Sequence, residues 1–279
     1  MNMQTTQRAA AVLMVGAAAL AIAGFTALGS IFDYPKILKA PTIEILDSYR
    51  ENQTAITGWF LALVIGAALL APIGVLLGRI AGGILGKWIT GVGITAATVQ
   101  VGGLSRWVLL ISGISDDATV PALTDSAHRT FDMLHFWLGT ILGETIGYAL
   151  TATFTVLVVT AFTRNATITT TIATRWIGYL GYVSAALIAT GVVIPLGFGG
   201  ASITNFVGYI AWCLWLIAMA TTHPDQRGDD LCRAADRRGL SVIPLRGRPR
   251  SVRVSWRRAA AWKLRERPGV SATGSWPWR

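Results

Sequence analysis

Ala9-Ala-Ala-Val-Leu-Met-Val-Gly-Ala-Ala-Ala-Leu-Ala-Ile-Ala-Gly-Phe-Thr-Ala-Leu-Gly-Ser-Ile-Phe32 carries no charged side chain. A helix rising about 1.5 Å per residue crosses the hydrocarbon core of a membrane with roughly 20 apolar residues, and this run exceeds that. Small residues near positions 21–27 would suit cleavage of a signal peptide. Such a peptide has an apolar core of only about 7–15 residues, so the reading favours a retained helix. Working outward, residues 55–77, 88–112, 133–162, 176–196 and 203–221 are apolar runs of similar length, with Arg106 and Glu144 the charged side chains inside them. Backbone groups in lipid must satisfy one another, which leaves helices or closed barrels, and runs this long are helical. The sequence therefore predicts an all-α membrane protein: a bundle of about six transmembrane helices over residues 1–221, then a basic, disordered tail over residues 222–279.

Composition agrees. Hydrophobic residues make up 53% of the chain and charged residues 14%, against roughly 25% charged in soluble domains. The net charge of +10 sits mostly in the tail. Residues 1–221 hold ten Lys/Arg and nine Asp/Glu, whereas the tail holds fourteen basic residues and five acidic ones. That placement argues against nucleic acid as a partner. It points instead to the lipid bilayer, with anionic lipid attracted to the tail at about 1 kcal/mol per basic residue near the surface. The tail also holds four of the eleven Trp and no Phe, Tyr, Asn or Met. The same bias would arise from a shifted reading frame in GC-rich DNA. Cys213 falls in an apolar run and Cys232 in the tail, so neither a disulfide nor a zinc spacing is expected.

The connections carry most of the polarity. Residues 33–54 contain a short helix pattern in which Thr42 follows Pro41 as an N-cap. Ile43, Leu46 and Tyr49 share one face, opposite Glu44, Asp47 and Glu51, as in a helix lying on a membrane surface. Pro72 marks a kink, residues 80–87 a Gly-rich link, and residues 115–126 an acidic loop. Trp59, Trp88, Trp137, Trp176 and Trp215 fall near span ends, where aromatic belts form. With the N-terminus inside, the inner segments carry Arg8, Arg79, Lys87, Arg164 and Arg175, and the outer ones Lys36, Lys39, Arg50 and Arg129. The tail tips this balance toward a multi-pass protein of the cell membrane with both termini cytoplasmic.

Three stretches support a family resemblance: Ile31-Phe-Asp-Tyr-Pro-Lys-Ile-Leu-Lys-Ala-Pro-Thr42, Gly103-Leu-Ser-Arg-Trp-Val108 and Gly139-Thr-Ile-Leu-Gly-Glu-Thr-Ile-Gly-Tyr148. In this order they resemble a bacterial, often actinobacterial, family of multi-span membrane proteins catalogued as a domain of unknown function. The likeness covers roughly residues 9–221. It implies a helical membrane bundle and supplies no activity and no catalytic residues.

Arg106 and Glu144 are the two charged side chains well inside apolar spans, where ionised groups pair or face a cavity. Arg106 lies about 9 Å from the outer end of its span and Glu144 about 16 Å into the next, at 1.5 Å per residue. Antiparallel neighbours would bring them side by side as a buried charge pair. Alternatively Arg106 reaches outward beside a protonated Glu144, or the two serve proton or solute movement. Gly139, Gly143 and Gly147 recur every four residues and suit close helix packing. His128, Asp132 and His135, spaced i, i+4, i+7, have the side chains of a divalent metal site. They sit where loop becomes helix, so no metal and no cofactor is expected. Gln100, Thr95, Thr98 and Asn205 either line a path or bond between helices. The sequence holds no Walker motif, HExxH or GxSxG. The leading reading is a non-enzymatic bundle acting through packing or contacts with unknown protein partners. The second is a small transporter or proton-coupled channel using Arg106 and Glu144. The third is a membrane-embedded metal-dependent enzyme using His128, Asp132 and His135.

Overall fold

The computed structural model describes residues 2–164, 172–198 and 200–221, all within the first of two compact units, Met1–His223. The readings for the tail, residues 222–279, and for most of the Thr-rich link before the fifth span lie outside the described residues. Six helical segments are long and apolar enough to cross a membrane: Met3–Phe32, Gln53–Ala81, Gly83–Asp117, Thr124–Arg164, Arg175–Leu196 and Ala201–Thr221. Among the described residues there is no strand.

Helix α1 (Met3–Phe32) ends where Asp33 adopts a left-handed conformation and its N–H reaches Leu28 O. A 3-10 turn (Lys36–Lys39) leads to α2 (Thr42–Glu51). The second span is two helices, α3 (Gln53–Ala68) and α4 (Leu70–Ala81), parted at Leu69. Pro72 accounts for that break, because its ring nitrogen cannot donate to the carbonyl four residues back, at Ala68. Helix α5 (Gly83–Leu109) continues into α6 (Ile111–Asp117), and α7 (Thr124–Leu134) leads through a π-helical segment (His135–Ile146) into α8 (Gly147–Arg164). Helix α9 (Ile172–Ala189) tightens into a 3-10 turn (Thr190–Leu196) containing Pro195, and α10 (Ala201–Thr221) follows. Each span packs on the next, and α1 also meets α10, so the six spans close into a ring.

Several helices run further than their apolar stretches. At an α-helical rise, the 41 residues of Thr124–Arg164 extend about 60 Å, roughly twice the hydrocarbon thickness. The acidic loop thus shrinks to residues 118–123, and α6 and α7 stand above the spans as a cap with α2. In α2 the buried side chains are Ile45, Leu46 and Tyr49, while Ile43 is exposed. The inward face is therefore shifted from the Ile43–Leu46–Tyr49 stripe, because α2 packs on α3, α6 and α7 together. Thr42 is the first helical residue rather than the cap, and its hydroxyl donates to Asp132 of α7.

Two apolar cores result. One fills the ring, from Met14 and Ile73 to Phe154, Trp212 and Leu216. The other joins the cap to the span ends: Phe32, Ile45, Leu46, Tyr49, Phe60, Trp107, Ile111 and Phe131 belong to it. Trp59, Trp88, Trp137 and Trp176 are exposed, as residues facing lipid or its interface would be. Trp215 is not in that belt. It is fully buried, because Gly181 of α9 has no side chain and lets the indole lie against the backbone.

Residues 80–87 are not a loose link. Helix α4 runs to Ala81, and the chain reverses within Gly82 and Gly83, whose φ values of 67° and 58° favour glycine. The α4–α5 hairpin then zips along glycines. A Cβ on Gly86 would overlap the carbonyl of Gly78, and one on Gly93 would stand 3.0 Å from Gly74 Cα.

A buried polar layer as the candidate functional site

Between the two cores lies a layer of polar side chains built around α5. Arg106, Gly103 and Gln100 follow one another along its face, and each meets one glycine of the fourth span. A Cβ on Gly139 would stand 2.8 Å from Arg106 Nη2. A Cβ on Gly103 would stand 2.9 Å from Gly143 Cα, and one on Gly147 3.4 Å from Gln100 Cδ. The glycine repeat is therefore a seat shaped for α5, one residue for each of three neighbours.

The π-helical winding alters what that face presents. Its i→i+5 register shows in the side chains too: Thr145 Oγ1 donates to Thr140 O at 2.9 Å, five residues back. A wider turn rotates each residue by less than 100°, so Glu144 stays nearer the glycine face than in an α-helix. Long π segments are rare and tend to mark functional places.

Arg106 is 6% exposed. Its Nη1 donates to Gly103 O at 2.6 Å, and its guanidinium carbon lies 5.4 Å from the Trp107 ring centre. Glu144, Tyr34 and Tyr148 are its electrostatic neighbours. The structure thus brings Arg106 and Glu144 to the same place without joining them in an ion pair. Among the described residues the ion pairs are Asp33–Lys36 and Asp47–Arg50, both local and at the surface. Glu144 is only partly buried and also feels Lys39.

Tyr34 follows the first span and reaches back over the layer from the second core. Burial and the nearby Glu144 carboxylate push its phenol up to about 12, with Arg106 acting in the opposite direction. At neutral pH it is therefore a hydrogen-bond donor. Sequence reasoning missed Tyr34, Tyr148 and Tyr209. The first two stand inside the quoted family stretches, which was the available signal.

Deeper in the ring several polar groups satisfy one another, whereas the buried Trp215 Nε1 has no partner among the described residues. Gln100 Nε2 donates to Thr151 Oγ1 at 3.1 Å and to the Tyr209 hydroxyl at 2.9 Å. Trp212 Nε1 donates to Thr155 Oγ1 at 2.9 Å, and Asn205 Nδ2 to Ile188 O at 2.8 Å. Thr95 and Thr98 bond back to their own helix and take no part.

The His128, Asp132 and His135 side chains do not gather. Asp132 accepts the Thr42 hydroxyl, and the His135 ring stacks on Phe131 with centroids 5.6 Å apart and planes at 14°. Among the described residues no group of three His, Cys, Asp or Glu side chains is placed to hold a metal ion.

The sequence matches the family described as "Domain of unknown function (DUF4386)" over residues 9–220. The chain belongs to that family. The match runs from the first span to the end of the sixth, so the DUF4386 region is the helical ring with its cap and polar layer. No curated protein and no solved structure matches the chain.

Proposed function

We propose that this DUF4386 protein is a non-enzymatic carrier of a small solute or of protons, working in a bacterial cell membrane with the Arg106–Glu144 layer as its site. The observation that supports this reading is the convergence of polar groups from four parts of the chain on one level between two apolar cores. A buried ionisable residue in a membrane bundle is costly unless paired, and these two are neighbours rather than partners. No resident cofactor is invoked. The metal-enzyme reading is not carried forward, since Asp132 and His135 are engaged elsewhere.

Purified protein in liposomes loaded with a pH-sensitive dye tests the proposal. A proton or solute flux above that of empty liposomes is expected, falling at least about tenfold in Glu144→Gln and Arg106→Lys, as expected when a charged contact is lost. Flux no greater than in empty liposomes across a solute panel would overturn it. That result would favour the second reading, a bundle acting through packing and partner contacts. The mutually satisfied Gln100–Thr151–Tyr209 network is the observation on that side.

For orientation the proposal places both termini in the cytoplasm and the α2–α6–α7 cap outside, with the tail drawn to anionic lipid. The Lys/Arg balance supports this. Single cysteines at the exposed positions Glu51 and Ser126, in a chain with Cys213 and Cys232 replaced, should react with an impermeant reagent added to intact cells. Protection of both positions, with labelling restored after lysis, would reverse the orientation.

A further inference from the structure

We propose that the polar layer is a binding site for a small carboxylate, held by the Arg106 guanidinium with the Tyr34 and Tyr148 hydroxyls, and that Glu144 takes up a proton as the carboxylate binds. This rests on the carrier reading above and names its substrate class.

The first ground is a set of unspent donors. Arg106 is nearly fully buried, yet only its Nη1 has a hydrogen-bond partner, Gly103 O. Its remaining N–H groups have none among the described residues, and neither has the hydroxyl of Tyr34 or of Tyr148. Unlike His135 Nδ1 and Trp215 Nε1, these atoms are not sealed inside the protein, so their N–H and O–H groups are open to a small molecule entering the layer. Gly139 has no side chain, and the Arg106 guanidinium packs into the space this leaves, which fixes the fork in place.

The second ground is chemical. A guanidinium offers a planar fork of donors that matches the two oxygens of a carboxylate, and phenol hydroxyls add donors without charge. Around this fork the walls are aromatic. Trp107 lies beneath Arg106, Phe25 stacks near Tyr34 at 6.0 Å, and Tyr209 meets Tyr148 at 5.6 Å. A cation at this fork would instead meet the Arg106 guanidinium and be repelled. An organic anion with an apolar body fits both the fork and the walls.

The proton follows from charge. Glu144 faces Arg106 from α5, Lys39 from the 3-10 turn, Tyr34 from the loop after α1 and Tyr148 from its own span. His135 adds to the surroundings of Arg106, and Tyr209 of α10 stands behind the two tyrosines. With one guanidinium near it, Glu144 already balances the charge. A second carboxylate beside Arg106 would place two negative charges in a low-dielectric layer, and like charges there favour protonation of one. The carboxylate and the proton therefore enter together and leave the net charge of the layer unchanged.

Calorimetric titration of the full chain in detergent with benzoate tests this, with methylammonium and inorganic phosphate as comparison probes. Runs in two buffers of different ionisation heat count the protons. Benzoate should bind one per chain with uptake of about one proton, more tightly at mildly acidic than at alkaline pH. Tyr34→Phe and Tyr148→Phe, which keep the rings, should each weaken it severalfold. Arg106→Lys should weaken it about tenfold or more, because a charged, forked pair is lost. Glu144→Gln should bind benzoate without proton uptake and without pH dependence. Thermal melts of each variant establish that it is folded. Benzoate binding that is absent in the folded wild-type chain, or unchanged in Arg106→Lys and both Tyr→Phe variants, would overturn the proposal. Saturable methylammonium binding lost in Glu144→Gln, with no benzoate binding, would overturn the carboxylate class while leaving the carrier reading standing.

Discussion

Gly86→Leu is expected to prevent the bundle from assembling, or to lower its melting temperature more than any other single glycine change in the ring. Gly86 sits one turn into α5, and its Cα faces the carbonyl of Gly78 across the α4–α5 hairpin so closely that a single Cβ would overlap it. The obstacle is backbone on both sides, so no rotamer change can relieve it. Overpacking in a core costs about 1–3 kcal/mol when side chains can shift. Here the two helices must separate, which also strips the contacts at Gly74, Gly93 and Phe154 further along the same seam. The loss should lie at or above the upper end of that range. In lipid there is little hydrophobic force to pull helices together, and close van der Waals contact between small residues is what association rests on. Gly91→Ala is the paired control. It lies on the same helix with nothing near its missing Cβ, and removing a glycine there should gain up to ~1 kcal/mol of helix propensity. Thermal unfolding in detergent compares the two. A Gly86→Leu chain that melts with the wild type would show that the hairpin is not held by this seam.

Trp107→Ala should cost about 3–5 kcal/mol, as truncation of a fully buried large aromatic does. The indole is 1% exposed and stacks on Phe60 at 4.8 Å with planes 5° apart. Phe32 meets it edge-on at 5.3 Å and Phe131 at 6.2 Å. Those partners come from α1, α3 and α7, so one side chain ties two spans and the cap to α5. It also lies against Arg106, which binds the second core to the polar layer. Trp107→Phe should recover part of the loss, since a smaller ring keeps some of the stacking. The measurement is again the melt, with proteolysis of the α6–α7 connection as a second readout. Faster cleavage there in Trp107→Ala is expected, because the cap loses its central contact. Equal melting and cleavage in Trp107→Ala and wild type would mean the aromatic cluster is incidental to the fold.

What was legible in the sequence follows from the physics of each signal. Six apolar runs fix six spans because the hydrocarbon core sets a length and lipid forbids charge, and both are properties of a single segment. The spacing of Gly139, Gly143 and Gly147 and the isolation of Arg106 and Glu144 were likewise readable one segment at a time. The Gly78–Gly86 seam was not. Residues 80–87 looked like a link, since Gly-rich sequence reads as a turn until another backbone is seen against it. Trp215 looked like an interfacial residue for the same reason: its position along the chain suits a belt, and only Gly181 on a different helix makes a place for it inside. The shifted face of α2 depended on three helices packing on it at once.

The sequence by itself determined the class, the number of spans and which charged side chains must be accommodated, because each is settled by transfer of one segment between water and lipid. Tertiary structure alone decided that Arg106 and Glu144 stand near each other without pairing, and that Tyr34 and Tyr148 join them. Those relations depend on the rotation and depth of one helix against another. The π-helical winding and the glycine seat set both, and neither has a single-segment signature strong enough to read in advance.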